Sequence, residues 1–326
     1  MKQTITTLLA VLLTAATTQA EVIDGISYRL VKRTTGNIAC VQKDNNVSYS
    51  GAIVIPETVT ADDGETYTVV GIDYRAMMDI SMVTSLSLPA SLTDIDSHNF
   101  VWKNMLESIT VAEDNPYLDS RGGCNAIFLT EENKIILGCS NTVIPDGTAV
   151  IGEEAFARTG LREVTIPASV AYIDENAFSG CTELTTLTIL GELTEGIDEG
   201  AFSGCNALTD IYCYATTPPH LDSETFGEDA LDDGITLHVP ATAIEAYKED
   251  VRWSEISDDI VPLPAADLKG DVNGDSRVDI ADAAAVISYI LDPQTVPFDK
   301  EAADMDGNGS IDINDVKAIV VLILNQ

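Results

Sequence analysis

Two twelve-residue stretches near the C-terminus place oxygen-bearing side chains at alternate positions: DVNGDSRVDIAD from Asp271 and DMDGNGSIDIND from Asp304. Positions 1, 3, 5, 7, 9 and 12 of the two stretches are Asp271, Asn273, Asp275, Arg277, Asp279, Asp282 and Asp304, Asp306, Asn308, Ser310, Asp312, Asp315. A hard cation such as Ca²⁺ takes six to eight oxygen ligands, and position 7 of such a loop supplies its backbone carbonyl. The spacing therefore predicts a site for two calcium ions, one in each loop.

The loops follow the spacing of an EF-hand, with two departures. Position 12 is aspartate in both loops, where an EF-hand has glutamate, so the following helix must approach the ion more closely. Position 6 is Gly309 in the second loop but Ser276 in the first. Because glycine makes the sharp turn at this position, we expect weaker binding in the first loop.

Each loop leads into an apolar helix, predicted over Ile280 to Leu291 and Ile313 to Leu324. This duplicated loop–helix unit resembles a type I dockerin over about residues 268–325. The resemblance implies calcium binding and docking onto a cohesin-type domain of a scaffold or cell surface. It assigns recognition to loop positions 10 and 11 and the adjoining helix faces. Those positions are Ile280 and Ala281 in the first unit, and Ile313 and Asn314 in the second.

The larger part of the chain is an internal repeat. The segments GIDYRAM, DIDSHNF, VIGEEAF, YIDENAF and GIDEGAF each carry an isoleucine, then Ala or Asn four residues later, then an apolar anchor, Phe or Met. The anchors recur every 22 to 24 residues outside one longer interval; they are Met77, Phe100, Phe156, Phe178, Phe202 and Phe226. Segments such as LREVTI and TELTTLTI alternate apolar and polar residues, which predicts strands with one buried face. One unit cannot bury its own apolar face, so the period predicts a stacked solenoid.

This pattern resembles the BspA-like class of bacterial leucine-rich repeats over about residues 50–260. The expected fold is α+β and mainly β: a leucine-rich-repeat solenoid of short strands and AF turns, followed by a small α-helical, EF-hand-like dockerin. We expect a signal peptide at 1–20, the repeat domain at 21–262, a proline-containing linker at 263–269 and the dockerin at 270–326. Residues 21–50 are expected to form an N-terminal capping strand or hairpin.

The first twenty residues predict export. Lys2 precedes the apolar run Leu8 to Ala16, and Ala20 ends a small-x-Ala cleavage site, as in a secretory signal peptide. The chain carries 53 acidic and 17 basic residues, a formal net charge of −36. Such a charge repels phosphate backbones, so nucleic acid is an unexpected partner. We expect a secreted or surface-associated bacterial protein without a membrane span.

The interval between Phe100 and Phe156 resembles the hairpin insertion of the same family. Strands are expected over Asn125 to Thr130 and Lys134 to Leu137. If Thr130 faces Asn133, paired residue numbers sum to 263, which also places Cys124 opposite Cys139 and predicts a disulfide. Cys181 and Cys205 occupy equivalent FSGC positions, and we interpret them as buried thiols rather than a bridge. The partners of Cys40 and Cys213 are left open.

The expected function is non-catalytic binding. The solenoid presents a ligand-binding surface to a protein or glycan, and the dockerin attaches it to a cohesin-bearing assembly, in polysaccharide degradation or host adhesion. The acidic pairs recur with the repeat, and the chain contains no GxSxG or HExxH motif. Two alternatives stay open. One is an accessory hydrolase of a polysaccharide-degrading complex; the other is a structural spacer with a calcium-stabilised cap.

Overall fold

The computed structural model describes residues 18–95, 99–222, 224–227, 234–256, 259–263, 270–273, 277–292, 299–305 and 309–324. Residues 1–17, the greater part of the predicted signal peptide, lie outside these ranges, as do residues 264–269 of the predicted linker. The described chain is mainly β, with a repeat solenoid followed by a small helical module, which confirms the predicted fold class. None of the described helices is long and apolar enough to cross a bilayer.

Three antiparallel strands begin the described chain: β1 (Thr18–Ile23), β2 (Ile26–Val31) and β3 (Ile38–Val41). The β1–β2 turn is Asp24-Gly25, and both residues have positive φ, 49° and 82°, as a tight hairpin turn requires. Strand β3 then pairs in parallel with the first repeat strand. These strands close the N-terminal end of the solenoid, as expected of residues 21–50. Strand β1 already includes Thr18 to Ala20, which the sequence assigned to the leader.

The solenoid coils form strand ladders on two sides, which are parallel except for antiparallel pairs at the start of the first ladder and in the insertion. The first side contains β5 (Thr58–Thr60), β6 (Thr66–Ile72) and β8 (Asp94–Ile95), then β10 (Leu118–Asp119), β11 (Ala126–Leu129), β12 (Lys134–Gly138), β13 (Val150–Ile151), β15 (Tyr172–Ile173) and β17 (Gly196–Ile197). The second contains β4 (Ser50–Val54), β7 (Met82–Leu88) and β9 (Ser108–Val111), then β14 (Glu163–Ile166), β16 (Thr186–Ile189), β18 (Asp210–Cys213), β19 (Thr236–Val239) and β20 (Asp259–Pro262). Both ladders are interrupted at the insertion.

The aromatic anchors stack along the interior. The ring centroids of Phe156 and Phe178 are 4.9 Å apart, those of Phe178 and Phe202 5.0 Å, and those of Phe202 and Phe226 5.3 Å. At the C-terminal end, Trp253 meets Phe226 edge-on at 6.3 Å. Trp253 belongs to α2 (Val251–Ile256), which follows α1 (Ile244–Glu249). The repeated phenylalanines are therefore interior residues, and the two short helices cover the last coil.

The β11–β12 hairpin separates two hydrophobic cores. The N-terminal core extends from Ile26 to Cys139, and the C-terminal core from Cys124 to Ile256. Successive hairpin residues face opposite cores: Ala126 and Phe128 lie in the C-terminal core, whereas Ile127 lies in the N-terminal core. The ring of Phe156 lies directly against Gly138, since a Cβ atom built there would be 2.0 Å from Cε1 of that ring.

The predicted disulfide between Cys124 and Cys139 is wrong. Near the turn the residue numbers of paired residues sum to 263, as expected. A bulge between Ile127 and Phe128 then shifts the pairing by one residue, so the numbers of the pairs beyond it sum to 264. A shift by one residue turns a side chain to the other face of the hairpin. Cys124 therefore faces the C-terminal core and Cys139 the N-terminal core, where its thiol contacts the Asn125 carbonyl at 3.4 Å. Both thiols are free and buried, as are Cys181 and Cys205.

A buried lysine joins the two halves of the solenoid. Lys103 is 1% exposed, and its Nζ donates to the carbonyl of Phe100 at 3.0 Å and to that of Glu154 at 3.0 Å. These carbonyls lie on opposite sides of the insertion. Burial lowers the pKa of Lys103 to about 7, because an ammonium loses its hydration there. Lys103 was not among the residues predicted from the sequence to have a special role.

The C-terminal module contains α3 (Ile280–Leu291), α4 (Lys300–Ala303) and α5 (Ile313–Leu324). The two long helices begin and end at the residues expected from the sequence. They pack through a small core of their own, whose buried members are Val272, Val278, Ala283, Val286, Ala303, Val316 and Ile319. Val278 and Ile311, the position-8 residues of the two loops, both belong to this cluster or pack against it.

Candidate calcium loops and docking surface

In the described residues, the two loops share one hydrogen-bonding pattern. Asp279 caps α3: its carboxylate accepts from the Ala281 amide at 2.7 Å. Asp312, the position-9 residue of the second loop, accepts from the Asn314 amide at 2.7 Å in the same way. Aspartate is a favoured N-cap because its oxygen satisfies an otherwise unpaired helix amide. Position 9 therefore fixes the start of each helix relative to its loop.

The position-12 carboxylates accept hydrogen bonds from backbone amides of their own loops. Asp282 is fully buried; one of its oxygens accepts from the Val272 amide at 2.8 Å, and the other accepts from the Asp279 amide at 2.8 Å. The carboxylate of Asp315 does the same in the second loop: it accepts from the Met305 amide at 2.9 Å and from the Asp312 amide at 2.8 Å. Burying a carboxylate costs free energy unless its charge is matched, so a cation beside each of these aspartates is favoured. Each aspartate also ties the helix back to the loop.

The second loop shows the sharp turn that the calcium spacing requires. Gly309, at position 6, has a φ of +80°, and its amide donates to the carboxylate of Asp304 at 2.8 Å. This bond closes the first half of the loop on the position-1 residue. Ser276, the position-6 residue of the first loop, lies outside the described residues.

The predicted ligands are partly visible. The structure describes Asp271, Asn273, Arg277, Asp279 and Asp282 in the first loop, and Asp304, Ser310, Asp312 and Asp315 in the second. Asp275, Asp306 and Asn308 lie outside the described residues. Within the described part, no cluster of three or more His, Cys, Asp or Glu is arranged to hold a metal ion.

The chemistry of these donors suits calcium. Carboxylate, amide and hydroxyl oxygens are the ligands of a hard cation, and no thiolate or imidazole occupies a ligand position. The buried Asp282 and Asp315 add an electrostatic reason for a cation at each loop. The ligand assignment itself stays a prediction.

The helix faces beside the loops differ in exposure. Ile280 is 72% exposed and Ile313 55% exposed, although both are large aliphatic residues at helix N-termini. Ala281 and Asn314, at position 11, are also exposed. In α3 the exposed stripe continues through Ile287, Ile290 and Leu291, whereas in α5 Val316 is buried and Val320 and Ile323 pack on the core. Both helices contribute to the shared core, α3 through Ala283 and Val286 and α5 through Val316 and Ile319. Both also keep apolar residues exposed, since Val321 and Leu322 of α5 are 56% and 37% exposed.

Comparison with known proteins identifies both parts. The family described as BspA type leucine rich repeat region matches in six copies, over residues 65–122 and 136–242. The type I dockerin domain matches residues 269–324. No curated protein matches the chain.

Several solved bacterial structures are similar. A leucine-rich repeat protein from Bacteroides ovatus is 23% identical, with 67% of this chain and 55% of that chain covered and a TM-score of 0.41. A leucine rich cell surface protein from Faecalibacterium prausnitzii is 23% identical, covering 66% and 57% at a TM-score of 0.36. The chain thus spans little more than half the length of either.

Type I dockerin domains bind calcium, and a dockerin implies a cohesin partner. The matched domains are those of binding proteins rather than enzymes. On the combined evidence of the coil repeat, the stacked phenylalanines, the paired loops and these matches, the chain belongs to the BspA-type leucine-rich-repeat family and carries a C-terminal type I dockerin domain.

Proposed function

We propose that this protein is a secreted binding protein whose solenoid presents a ligand-binding surface while its dockerin attaches it to a cohesin-bearing scaffold or cell surface. The observation that carries the proposal is the pair of exposed isoleucines, Ile280 and Ile313, each directly beyond a loop that closes on a buried aspartate. Exposed large aliphatic side chains at equivalent positions favour a contact with a partner. The predicted leader supports export.

In this proposal each loop holds one calcium ion. The first is bound by Asp271, Asn273, Asp275, Asp279 and Asp282 with the Arg277 carbonyl, and the second by Asp304, Asp306, Asn308, Asp312 and Asp315 with Ser310. Bound calcium neutralises the crowded loop oxygens. The chain's own contribution is to orient them: the amides of positions 2 and 9 hold the position-12 carboxylate. Repulsion among the carboxylates opposes this arrangement when no cation is present.

Calcium and docking are linked through helix order. The exposed isoleucines lie in the first turns of α3 and α5, next to the capping aspartates. A helix start that is fixed before the partner arrives loses less entropy on binding. Burying one fully exposed isoleucine contributes about 1.5–3 kcal/mol. The docking interface is therefore apolar at its centre and calcium-dependent.

A pull-down tests the proposal. Cohesin domains from the same organism are immobilised, and the full chain is applied in calcium or in chelator. We expect retention in calcium only, with weaker retention of Ile280→Asp and Ile313→Asp. Val251→Asp is the matched control, because Val251 is equally exposed but lies in the solenoid.

Absence of retention in calcium, or equal retention of the three variants, rejects the docking role. Calcium-dependent helicity without cohesin retention instead supports the spacer with a calcium-stabilised cap.

A further inference from the structure

The insertion leaves one repeat strand without its usual neighbour. Strand β8 pairs in parallel with β6 through Asp94 and Ile95. In the next regular coil, β13 pairs with β12, and the other edge of β12 is occupied by β11. Among the strands that the structure describes, β8 consequently pairs only with β6. Ile95 of this strand lines the same cavity as Leu129 and Ile136 of the hairpin.

A groove lies between β8 and the hairpin. It consists of two adjoining cavities of about 170 Å³ and 220 Å³ that share Ile95 and Leu129. Ile136 lines the first cavity, and Tyr117, 53% exposed, lines the second. Ile95 and Leu129 pack on the N-terminal core but keep part of their surface open. The groove therefore has an apolar floor and an accessible aromatic ring at one end.

The rim of the groove is acidic. Glu131 and Glu132, at the hairpin tip, line the second cavity, and Glu153 lines the first. The cation among the lining residues is Lys134, whose Nζ lies 2.9 Å from the carboxylate of Asp174. Its aliphatic stem passes over Gly152, because a Cβ atom built on that glycine would be 2.7 Å from the lysine Cε. Asp174 balances the lysine charge, so the exposed carboxylates of Glu131 and Glu132 make the rim of the second cavity negative.

We propose that this groove binds an extended peptide segment of a partner protein in which an apolar side chain is flanked by lysine or arginine. The apolar floor takes the side chain, the outer edge of β8 lies beside the extended chain, and Glu131 and Glu132 attract the flanking cations. A neutral glycan would not match the charges of Glu131 and Glu132, and an anionic ligand would be repelled. This site is separate from the dockerin and does not depend on cohesin binding.

Synthetic peptides serve as probes of the full chain in calcium, with binding measured by fluorescence anisotropy. The first probe contains leucines alternating with lysines; the second has glutamate in place of lysine, and the third glycine in place of leucine. We expect binding of the first probe alone. Weak binding of the glycine probe at low salt is consistent with the proposal only if it is at least about tenfold weaker, the difference that burial of one leucine gives.

Variants locate the binding. Tyr117→Ala should weaken binding of the lysine–leucine peptide about tenfold through lost apolar contact. The double variant Glu131→Gln with Glu132→Gln should weaken it about fivefold and reduce its salt dependence, because two exposed charge pairs are lost. The matched control removes two charges elsewhere: Glu163→Gln with Glu249→Gln. Thermal unfolding of each variant shows that its fold is retained.

Three results would overturn the proposal. If the control pair weakens binding as much as the groove pair, the peptide is attracted only by the overall charge. If the glycine probe binds as tightly as the leucine probe, the apolar floor takes no part. If the lysine–leucine probe does not bind, the proposal is rejected; a neutral oligosaccharide that binds instead, and is lost in Tyr117→Ala, would make the groove a glycan site.

Discussion

Replacing Lys103 with methionine should remove a pH dependence from the stability of the solenoid. The ammonium group is buried between two backbone carbonyls, and burial lowers its pKa from the ordinary value of 10.5 to about 7. Cys181 and Glu154 oppose this shift, and Arg158 adds to it. Between these two pH values, the unfolded chain binds more protons than the folded chain. The free energy of unfolding therefore rises with pH over that interval.

The expected magnitude follows from the two pKa values. The difference between 10.5 and about 7 corresponds to roughly 5 kcal/mol of destabilisation, fully present below pH 7 and lost as the pH approaches 10.5. About 2 kcal/mol of this is recovered between pH 7 and pH 9. Methionine fills much of the same volume but leaves the carbonyls of Phe100 and Glu154 without a donor, at about 1–3 kcal/mol each. That second cost does not change with pH.

Urea unfolding of the wild type and Lys103→Met, measured from pH 7 to pH 9, separates the two effects. Tryptophan fluorescence reports on the solenoid alone, because Trp102 and Trp253 are the two tryptophans of the chain. The wild type should gain about 2 kcal/mol relative to the variant across this range. Hydrogen bonds from Cys205 and Thr159 lower the pKa of the Cys181 thiol, so Cys181 also contributes to the pH dependence. The same comparison, with and without Lys103→Met, is repeated in the Cys181→Ser background to remove the contribution of Cys181.

A stability difference that stays constant within about 0.5 kcal/mol from pH 7 to pH 9 would refute the reasoning. It would mean that Lys103 carries the same charge in the folded and unfolded chains over this range. The absolute stability of the variant does not decide the matter, because it also contains the lost hydrogen bonds.

Three further outcomes are expected. Phe178→Ala should lower the free energy of urea unfolding by about 3–5 kcal/mol, since its ring stacks on both neighbours; a loss below about 1 kcal/mol would contradict an interior anchor. Gly138→Ala should destabilise by about 1–3 kcal/mol or more, whereas Gly160→Ala, whose Cβ would meet nothing nearer than 3.8 Å, should have little effect in the same assay. Chelator should reduce far-UV circular dichroism through loss of α3 and α5 but leave tryptophan fluorescence unchanged; identical spectra with and without chelator would count against calcium-dependent folding.

The repeated features of the fold were predictable because each coil repeats the same environment. Phe156, Phe178 and Phe202 are buried at one equivalent position, and the strands around them alternate as the sequence does. The two dockerin helices were equally predictable, since each follows a loop whose spacing fixes where a helix begins. The sequence period alone therefore predicts the buried anchors, the strands and the helix starts, without reference to contacts between distant residues.

The register of the inserted hairpin was not predictable in the same way. One additional residue enters between the pair Ile127–Leu137 and the pair Phe128–Ile135. Both faces of the hairpin are buried, so the apolar pattern does not show which face a residue takes. The close approach of Phe156 to Gly138 belongs to this arrangement. An unbroken register therefore predicted that Cys124 and Cys139 lie opposite each other on one face of the hairpin. The bulge places them on opposite faces.

Lys103 illustrates a signal that the sequence contained but that needed the fold to interpret. It lies three residues after its anchor Phe100, the position held by Thr159, Cys181 and Cys205 in other coils. A lysine in a column of small buried residues could have been noticed by alignment. That its charge is held by the Glu154 carbonyl, 51 residues further on, depends on how the coils close around the insertion.

The final strand has a mechanical consequence. Strand β20 lies at the edge of its ladder and pairs in parallel with β19 from Asp259 to Pro262, and the next amide, of Leu263, bonds to the Val239 carbonyl at 2.8 Å. The chain leaves the solenoid at this point toward the dockerin. Tension applied through a docked dockerin therefore enters at β20, which can detach while the stacked phenylalanines stay packed. Under a pulling force, β20 would be the first strand to detach, and the linker to the dockerin would lengthen by a few residues before the preceding coils bear the force.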